Sequence, residues 1–197
     1  DLTCETTPHY LLLTAEEMER LGTLMKMNPP VRYRGHQEAL WEGLKTGIID
    51  MLATDHSPHA LDEKRKENVW EAISGFPGVE TQLPLMLTEA NGGRFSLNDY
   101  ARWASENPAR AWGLYPKKGA VRVGSDADLV LVDLGREGVI RAEALHSKSK
   151  LTPFDGFKVK GIPVMTIVRG RVVMQDGEVV GAPGWGRLTT PLVHAAS

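Results

Sequence analysis

The apolar positions in the first half of the chain form short segments whose spacing changes from strand to helix and back. Residues 1–13 begin as a short strand and turn at Pro8, and residues 35–46 place apolar side chains at helical spacing before Gly47. Residues 48–54, IIDMLAT, form an apolar run of strand length without alternation, which is typical of a parallel strand buried on both faces. The order strand, helix, strand predicts an α/β fold.

Two further helices and one charged segment are predicted after this strand. Helical spacing covers residues 80–90 and 97–105, and Ser96 or Asn98 is the expected cap of the second helix. Residues 61–72 are rich in charge, and we expect them to form a helix or a lid segment.

The pattern becomes β-rich from about residue 115 onwards. Glycines separate short β-rich pieces such as 127–133 and 164–174, and the Arg169-Gly170-Arg171 step resembles a hairpin turn. A small β module is therefore predicted for the carboxy-terminal part of the chain.

Composition narrows the classes of partner. The 197 residues are 42% hydrophobic, enough for a sizeable core, and 23 basic against 25 acidic residues give a formal net charge of -2. That balance favours neither nucleic acid nor a membrane surface, and no apolar run approaches the ~20 residues that span a bilayer. We expect a small neutral or anionic metabolite as the partner.

The single cysteine and the amino terminus bear on where the protein acts. Cys4 has no second cysteine to pair with, and we expect it to be buried and inert. A chain without internal disulfides and without a signal peptide fits a reducing compartment, so a cytoplasmic location is predicted. Because the chain begins with Asp and not Met, we also expect it to be a fragment or a processed product.

A polar cluster, Asp55-His56-Ser57-Pro58-His59, follows the apolar run 48–54 at its carboxyl end. Barrels of parallel strands gather their catalytic groups at such ends. A carboxylate at the end of a buried strand needs a hydrogen bond, an ion pair or a metal. Asp55 is therefore either a helix cap or turn residue, or a metal ligand that also accepts a proton. The neighbouring His56 and His59 favour the second interpretation.

Other polar residues give weaker signals. Asn28 precedes two prolines, and its amide is placed either to meet a substrate carbonyl or carboxylate or to form an ordinary Asx turn. For His9, which follows Pro8, a packed or solvated role is favoured over one in a site. Arg32 and Arg34 are expected to be solvated or paired charges.

Several strings of the sequence together resemble dihydroorotases of the amidohydrolase superfamily. ATDHSPH at 53–59 resembles the end of the eighth barrel strand of that family, and ETTPHYLLLT at 5–14 with MNPPVR at 27–32 resembles the seventh-strand region. The likeness continues through SGFPGVETQLPLM at 74–86, SENPAR at 105–110, GSDADLVLVD at 124–133 and the segment 150–181. It covers nearly the whole chain, and TDHSPH with NPPVR before it is its most specific part.

The resemblance implies a fold. Residues 1–113 would be the C-terminal part of a (β/α)8 TIM-like barrel, strands seven and eight, and residues 114–197 would be part of a small β-sandwich domain. Two strands cannot close a barrel, which needs about eight. We therefore expect their apolar faces to meet a missing amino-terminal half, another chain in a homo-oligomer, or a rearranged core.

The resemblance also implies roles for individual residues. Asp55 would be the zinc ligand and the general base. Asn28 and His59 would hold dihydroorotate or N-carbamoyl-aspartate, and the backbone of Ser74-Gly75 would touch the same substrate. His56 has no assigned role in the family.

The implied reaction is the reversible opening of a six-membered cyclic amide in pyrimidine biosynthesis. Zinc, as one or two ions in the full-length enzyme, activates a water that attacks the ring carbonyl, and the aspartate carries the proton to the leaving nitrogen. The family's other metal ligands lie on strands that would precede Asp1. We therefore expect the isolated chain to be inactive.

Two alternatives remain open. Allantoinases and hydantoinases or dihydropyrimidinases share the barrel and the aspartate, whereas His59 favours dihydroorotase, in which a second histidine follows the TDH triplet. From a different class, a noncatalytic homologue or fragment with a structural role would also account for the missing ligands.

Overall fold

A computed structural model describes residues 2–192, which form a mixed α/β portion followed by an antiparallel sheet. The helices are α1 (Pro8–Leu12), α2 (Met18–Leu21), α3 (Arg34–Thr46), α4 (Leu61–Lys64), α5 (Val79–Asn91), α6 (Leu97–Ala101) and α7 (Asn107–Ala111). The strands are β1 (Glu5–Thr6), β2 (Met51–Leu52), β3 (Leu129–Val139), β4 (Lys158–Val168), β5 (Arg171–Gln175) and β6 (Glu178–Val179). None of the helices in this described part of the chain has the length and hydrophobicity to cross a bilayer.

Strands β1 and β2 lie side by side in parallel, with helix α3 between them along the chain. Glu5 pairs with Met51 and Thr6 with Leu52. The N–H of Ala53 extends the ladder by donating to the carbonyl oxygen of Thr6 over 2.8 Å. Parallel strands joined through a helix confirm the predicted α/β class.

The strand predicted over residues 48–54 is shorter in the structure, where only Met51–Leu52 has strand geometry. Its partner β1 ends at Thr6 because helix α1 begins at Pro8, and proline has no N–H for a ladder. The side chain of Ile48 is 76% exposed, so burial on both faces is limited to the centre of the run.

Helix α3 packs its apolar face on helix α1. Trp41 and Leu44 are buried in one cluster with Leu11, and the indole N–H of Trp41 donates to the Leu11 carbonyl over 2.9 Å. Gly47 follows the last helical residue with a φ of 77°, a conformation that glycine adopts without strain. The helix predicted over 35–46 is confirmed.

Helix α5 contacts both the core beside β2 and the sheet strand β4. Met86 is fully buried in the core cluster. On the other side of the helix, a Cβ added at Gly161 of β4 would lie 2.6 Å from the Cβ of Leu87, so only glycine allows this approach. The amide of Asn91 donates to the carbonyl of Lys160 over 2.9 Å. The sheet is thus held against α5 through β4.

The carboxy-terminal strands form one antiparallel sheet in the order β3-β4-β5-β6. Strands β4 and β5 are joined by Arg169 and Gly170, with φ of 46° and 78°, the positive values that a two-residue hairpin needs. The predicted hairpin turn is confirmed, as is the β character of the pieces 127–133 and 164–174.

Two predicted helices are shorter or less regular than expected. In the charged segment 61–72 only α4 is helical, and beyond it the carbonyls of Trp70 and Ala72 accept hydrogen bonds from the side chain of Lys26. Over residues 97–105, α6 is followed by a π turn at Arg102–Glu106. The hydroxyl of Ser96 accepts the N–H of Asp99 over 3.1 Å, so Ser96 is the cap of α6.

Cys4 is exposed, so its predicted burial is wrong. Its N–H donates to the carboxylate of Asp50 over 2.7 Å, but this contact involves only the backbone of Cys4. Within residues 2–192, β1 has β2 as its only neighbouring strand. The side chain just before β1 is therefore left uncovered.

Candidate functional site

Asp55 lies exposed just beyond the carboxyl end of β2. Its φ of 46° is in the left-handed region, which is uncommon for a residue with a side chain. The hydroxyl of Ser57 donates to its backbone carbonyl over 3.3 Å. Helix α4 begins at Leu61 after Ala60, so Asp55 does not cap that helix. Its carboxylate makes no hydrogen bond or ion pair within residues 2–192, which leaves both oxygens available to a ligand.

Asn28 is also exposed, in the loop that follows the buried Met27. The next residue, Pro29, accepts a hydrogen bond at its carbonyl from the hydroxyl of Tyr10 over 2.7 Å. Burial, together with the negative charge of Asp55, raises the pKa of Tyr10 to about 12. The hydroxyl of Tyr10 therefore contacts the loop that carries Asn28, and the pKa of this phenol also responds to the charge of Asp55.

Gly75 lies against the residues that follow Asp55. Its φ is +108°, and an added Cβ would stand 2.5 Å from the Cβ of Ser57 and 3.6 Å from Cδ2 of His59. The N–H of Ser57 donates to the carbonyl of Phe76 over 3.1 Å. The turn that carries Ser74 and Gly75 thus runs along the polar cluster, in contact with His59.

The same turn is joined to the loop that carries Asn28. The N–H of Gly75 donates to the carbonyl oxygen of Lys26 over 2.9 Å. This N–H is already used, so a ligand would have to meet the backbone of Ser74 or the carbonyl of Gly75. The structure therefore brings Asn28, Ser74 and Gly75 onto neighbouring backbone segments.

His59 is held mainly through its backbone. Its N–H donates to the carbonyl of Ser57 over 2.9 Å, and its own carbonyl accepts the hydroxyl of the buried Ser149. The ring is partly exposed, and its Nδ1 lies 3.9 Å from Oε2 of Glu63. These contacts fix the position of His59 and leave part of its ring open to a ligand.

His56 has a structural task in this arrangement. Its Nδ1 accepts the N–H of Gly78 over 3.1 Å and the N–H of Val79 over 3.2 Å. Those are backbone donors at the start of α5, which have no partner inside the helix. His56 thus caps α5 from outside, with Nδ1 unprotonated.

His9 is packed, the role that the sequence analysis favours over a place in the site. It is 2% exposed, its Nε2 lies 2.8 Å from the hydroxyl oxygen of Thr7, and its ring meets the edge of Phe76 with 5.1 Å between centroids. Burial lowers the pKa of His9 to about 4. A neutral imidazole is therefore built into the core beneath the turn.

Zinc is the metal that the family resemblance implies, and one of the side chains present, Asp55, fits the role of a zinc ligand. Within residues 2–192, no three His, Cys, Asp or Glu side chains lie close enough together to hold a metal. Asp55 offers an exposed carboxylate without a competing partner in the described part of the chain, and a carboxylate oxygen is an ordinary zinc ligand. The described part of the chain thus offers, at Asp55, one carboxylate that fits the role of a zinc ligand.

The sequence matches the Amidohydrolase family over residues 3–173. An L-hydantoinase of Paenarthrobacter aurescens is 44% identical over 200 residues, which cover 100% of this chain and 44% of that protein. A dihydroorotase of Methanothermobacter thermautotrophicus is 46% identical over 186 residues, which cover 93% of this chain and 41% of that protein.

The chain is also similar to solved structures of hydantoinases. The L-hydantoinase (dihydropyrimidinase) from Arthrobacter aurescens superposes with a TM-score of 0.92 at 44% identity, over 95% of this chain and 42% of that chain. The present chain therefore spans less than half the length of the relatives that it matches. Since the family match extends over most of the sequence, the chain belongs to the amidohydrolase family.

Proposed function

We propose that the protein containing this chain is a zinc-dependent, dihydroorotase-like hydrolase of the cytoplasm. It interconverts dihydroorotate and N-carbamoyl-aspartate by opening and closing the cyclic amide. The observation that supports this proposal is a set of contacts at Gly75: its N–H donates to the carbonyl of Lys26, two positions before Asn28, and its Cα side faces Ser57 and His59, which follow Asp55. The relatives named dihydroorotase and L-hydantoinase support the reaction class.

We also propose that the chain supplies parts of two domains of the family fold. Residues 1–113 would supply strands seven and eight of a (β/α)8 barrel, and residues 114–197 part of a small β-sandwich. The parallel pair β1 and β2 with α3 between them supports the first assignment, and the single antiparallel sheet supports the second. The remaining strands would come from the rest of the same protein or from a second copy in a homo-oligomer.

Asp55 has the chemistry that amide hydrolysis needs. When bound, zinc would supply a Lewis acid that polarises the ring carbonyl and lowers the pKa of water. Asp55 would hold it together with ligands from outside this chain. The same carboxylate would take the proton from the attacking water and give it to the amide nitrogen as the C–N bond breaks. In the reverse direction, it would take that proton back as the ring closes.

The surrounding residues would orient the substrate. The amide of Asn28 can donate to a carboxylate or carbonyl of the ring, and the imidazole of His59 can donate or accept beside it. The backbone of Ser74-Gly75 would make the third contact, through the Ser74 N–H or a carbonyl, because the Gly75 N–H is bound to Lys26. These groups hold a small polar ring and leave its scissile bond beside Asp55.

A hydantoin ring is the second candidate substrate. The L-hydantoinase of Paenarthrobacter aurescens matches the whole chain at 44% identity, and the corresponding solved structure has a TM-score of 0.92. His59 is the residue that favours dihydroorotate, because the dihydroorotases that the sequence resembles have a second histidine after the TDH triplet, and the ring of His59 is partly exposed next to Gly75.

Steady-state kinetics of the full-length, zinc-loaded protein test the proposal. Dihydroorotate, hydantoin and allantoin are compared as substrates, with ring closure of N-carbamoyl-aspartate measured in parallel. We expect kcat/KM for dihydroorotate to exceed the others by about tenfold or more, a ratio that hydrogen-bonded recognition readily gives. Preference for hydantoin would select the second candidate. Absence of turnover with zinc bound would leave the noncatalytic alternative.

A further inference from the structure

Lys64 is a completely buried lysine at the end of α4, with a side chain 0% exposed. Its Nζ donates to the carbonyl oxygen of Lys26 over 2.9 Å and to that of Ile73 over 3.0 Å. Within residues 2–192 it makes no ion pair with a carboxylate. Burying a charged group without an opposite charge is unfavourable, so the two carbonyl contacts are the interactions that offset the burial of this amine.

The carbonyl oxygen of Lys26 is shared by two donors from the same segment. It accepts the Nζ of Lys64 and also the N–H of Gly75, each over 2.9 Å. The side chain of Lys26 itself donates to the carbonyl of Ala72 over 2.5 Å. The segment from Lys64 to Gly75 is therefore tied to Lys26, two positions before Asn28, at several points.

The segment also carries contacts to the polar cluster. Phe76, over whose ring the Nζ of Lys64 lies at 6.0 Å from the centroid, pairs through its backbone with His56 and Ser57. A shift of this segment would therefore move Gly75 relative to both His59 and Asn28.

Lys64 does not need its charge for these contacts. Burial, with a smaller contribution from the positive charge of Lys26, lowers the pKa of Lys64 to about 8. A neutral amine still has two N–H donors, which is the number of carbonyl acceptors that face it, those of Lys26 and Ile73. The two hydrogen bonds are therefore available in either protonation state.

We propose that Lys64 is a positioning residue: it clamps the Ser74-Gly75 turn to Lys26 and so fixes the spacing of Gly75, His59 and Asn28 around the substrate. This inference rests on the proposed function, since it assigns to those groups the binding of a cyclic amide. Lys64 itself makes no contact with the substrate.

The test uses the full-length, zinc-loaded protein with Lys64→Met, which keeps the length of the side chain and removes its donors. Lys66→Met is the matched control, because Lys66 is exposed and its hydrogen bonds within residues 2–192 are made by its backbone. We expect Lys64→Met to raise KM about tenfold with a much smaller change in kcat, the signature of lost substrate binding. Amide exchange at Gly75 should accelerate by about tenfold or more as the segment opens more often. The control should change neither quantity.

Lys64→Gln is the second variant, with an amide donor on an arm too short to reach both carbonyls. We expect its KM to lie between those of the wild type and Lys64→Met. A folded Lys64 variant with unchanged KM and unchanged exchange at Gly75 would overturn the proposal, and so would failure of both variants to fold, which would show a purely structural role. If the wild type opens none of the cyclic amides, the proposed function fails, while exchange at Gly75 still reports on the clamp.

Discussion

The hydroxyl oxygen of Tyr10 lies 2.7 Å from the carbonyl oxygen of Pro29, to which it donates a hydrogen bond. This bond fastens helix α1 to the loop that carries Asn28. The charge of Asp55 is close enough to contribute to the raised pKa of the same phenol. Tyr10 therefore contacts the loop of the proposed binding amide, and the negative charge of Asp55 favours the neutral form of its phenol.

Tyr10→Phe should loosen the Asn28 loop while keeping the aromatic ring in place. Losing one hydrogen bond costs about 1 kcal/mol, and if that cost falls on substrate binding, KM should rise about fivefold. Steady-state kinetics of the full-length protein measure this change. Tyr33→Phe is the control, because Tyr33 is 61% exposed. An equal change in both variants would show that the Pro29 contact has no special role.

Gly75→Ala should damage the site more than an ordinary glycine substitution. A φ of +108° already disfavours alanine, and its Cβ would lie 2.5 Å from the Cβ of Ser57. Gly93→Ala is the matched control, because Gly93 has a φ of +80° with nothing within 4 Å of an added Cβ. Strain alone costs about 1 kcal/mol in each variant.

The difference between the two glycine variants isolates the contact with the polar cluster. Gly75→Ala should lose thermal stability beyond the Gly93→Ala loss and should reduce kcat/KM, whereas Gly93→Ala should keep its kcat/KM. Differential scanning calorimetry and kinetics of the full-length protein provide both values. Equal kinetics for the two variants would argue against a substrate contact at the Ser74-Gly75 turn.

His9 should make the fold sensitive to acid. The pKa of the buried imidazole is lowered from 6.5 to about 4, so the unfolded chain takes up a proton as the pH falls through 6.5 while the folded chain does not. The contribution of neutral His9 to the free energy of unfolding is fully present above pH 6.5. It falls by about 3 kcal/mol when the pH is lowered to about 4.

His9→Gln should flatten this dependence, because glutamine stays neutral throughout the window. Unfolding midpoints measured between pH 4 and pH 7 for the wild type and the variant give the comparison. His36→Gln, at an exposed histidine, should leave the wild-type slope unchanged. A wild-type slope in His9→Gln would mean that another group is responsible.

Local signals predicted the local features of the fold. Ser96 caps α6 because its hydroxyl accepts an N–H three positions later, and Arg169-Gly170 turns because both residues take positive φ. The extent of the strand over 48–54 could not be predicted in the same way. It is set by the end of β1, where Pro8 begins a helix on another part of the chain.

In the candidate site, too, some residues could be predicted from the sequence and others could not. The family resemblance predicted that Asp55, Asn28 and Gly75 share a site. In the structure the N–H of Gly75 contacts Lys26, near Asn28, and Gly75 faces Ser57, near Asp55, while the roles of the three residues stay a prediction. Tyr10 and Lys64 were missed, because each contacts a backbone carbonyl, of Pro29 and of Lys26 respectively, and such an acceptor leaves no residue-type signal in a sequence. Lys64 also stands in a charged segment, where a lysine is usually solvated.

The most direct measurement is kcat/KM of Asp55→Asn in the full-length, zinc-loaded protein, with dihydroorotate as substrate. Asp62→Asn, at an exposed aspartate on α4, is the control, and circular dichroism establishes that both variants are folded. The account predicts a loss of about 10³-fold for Asp55→Asn, the range expected for removal of a general base, with Asp62→Asn unchanged. A folded Asp55→Asn protein that keeps its zinc and its wild-type kcat/KM would contradict the central claim.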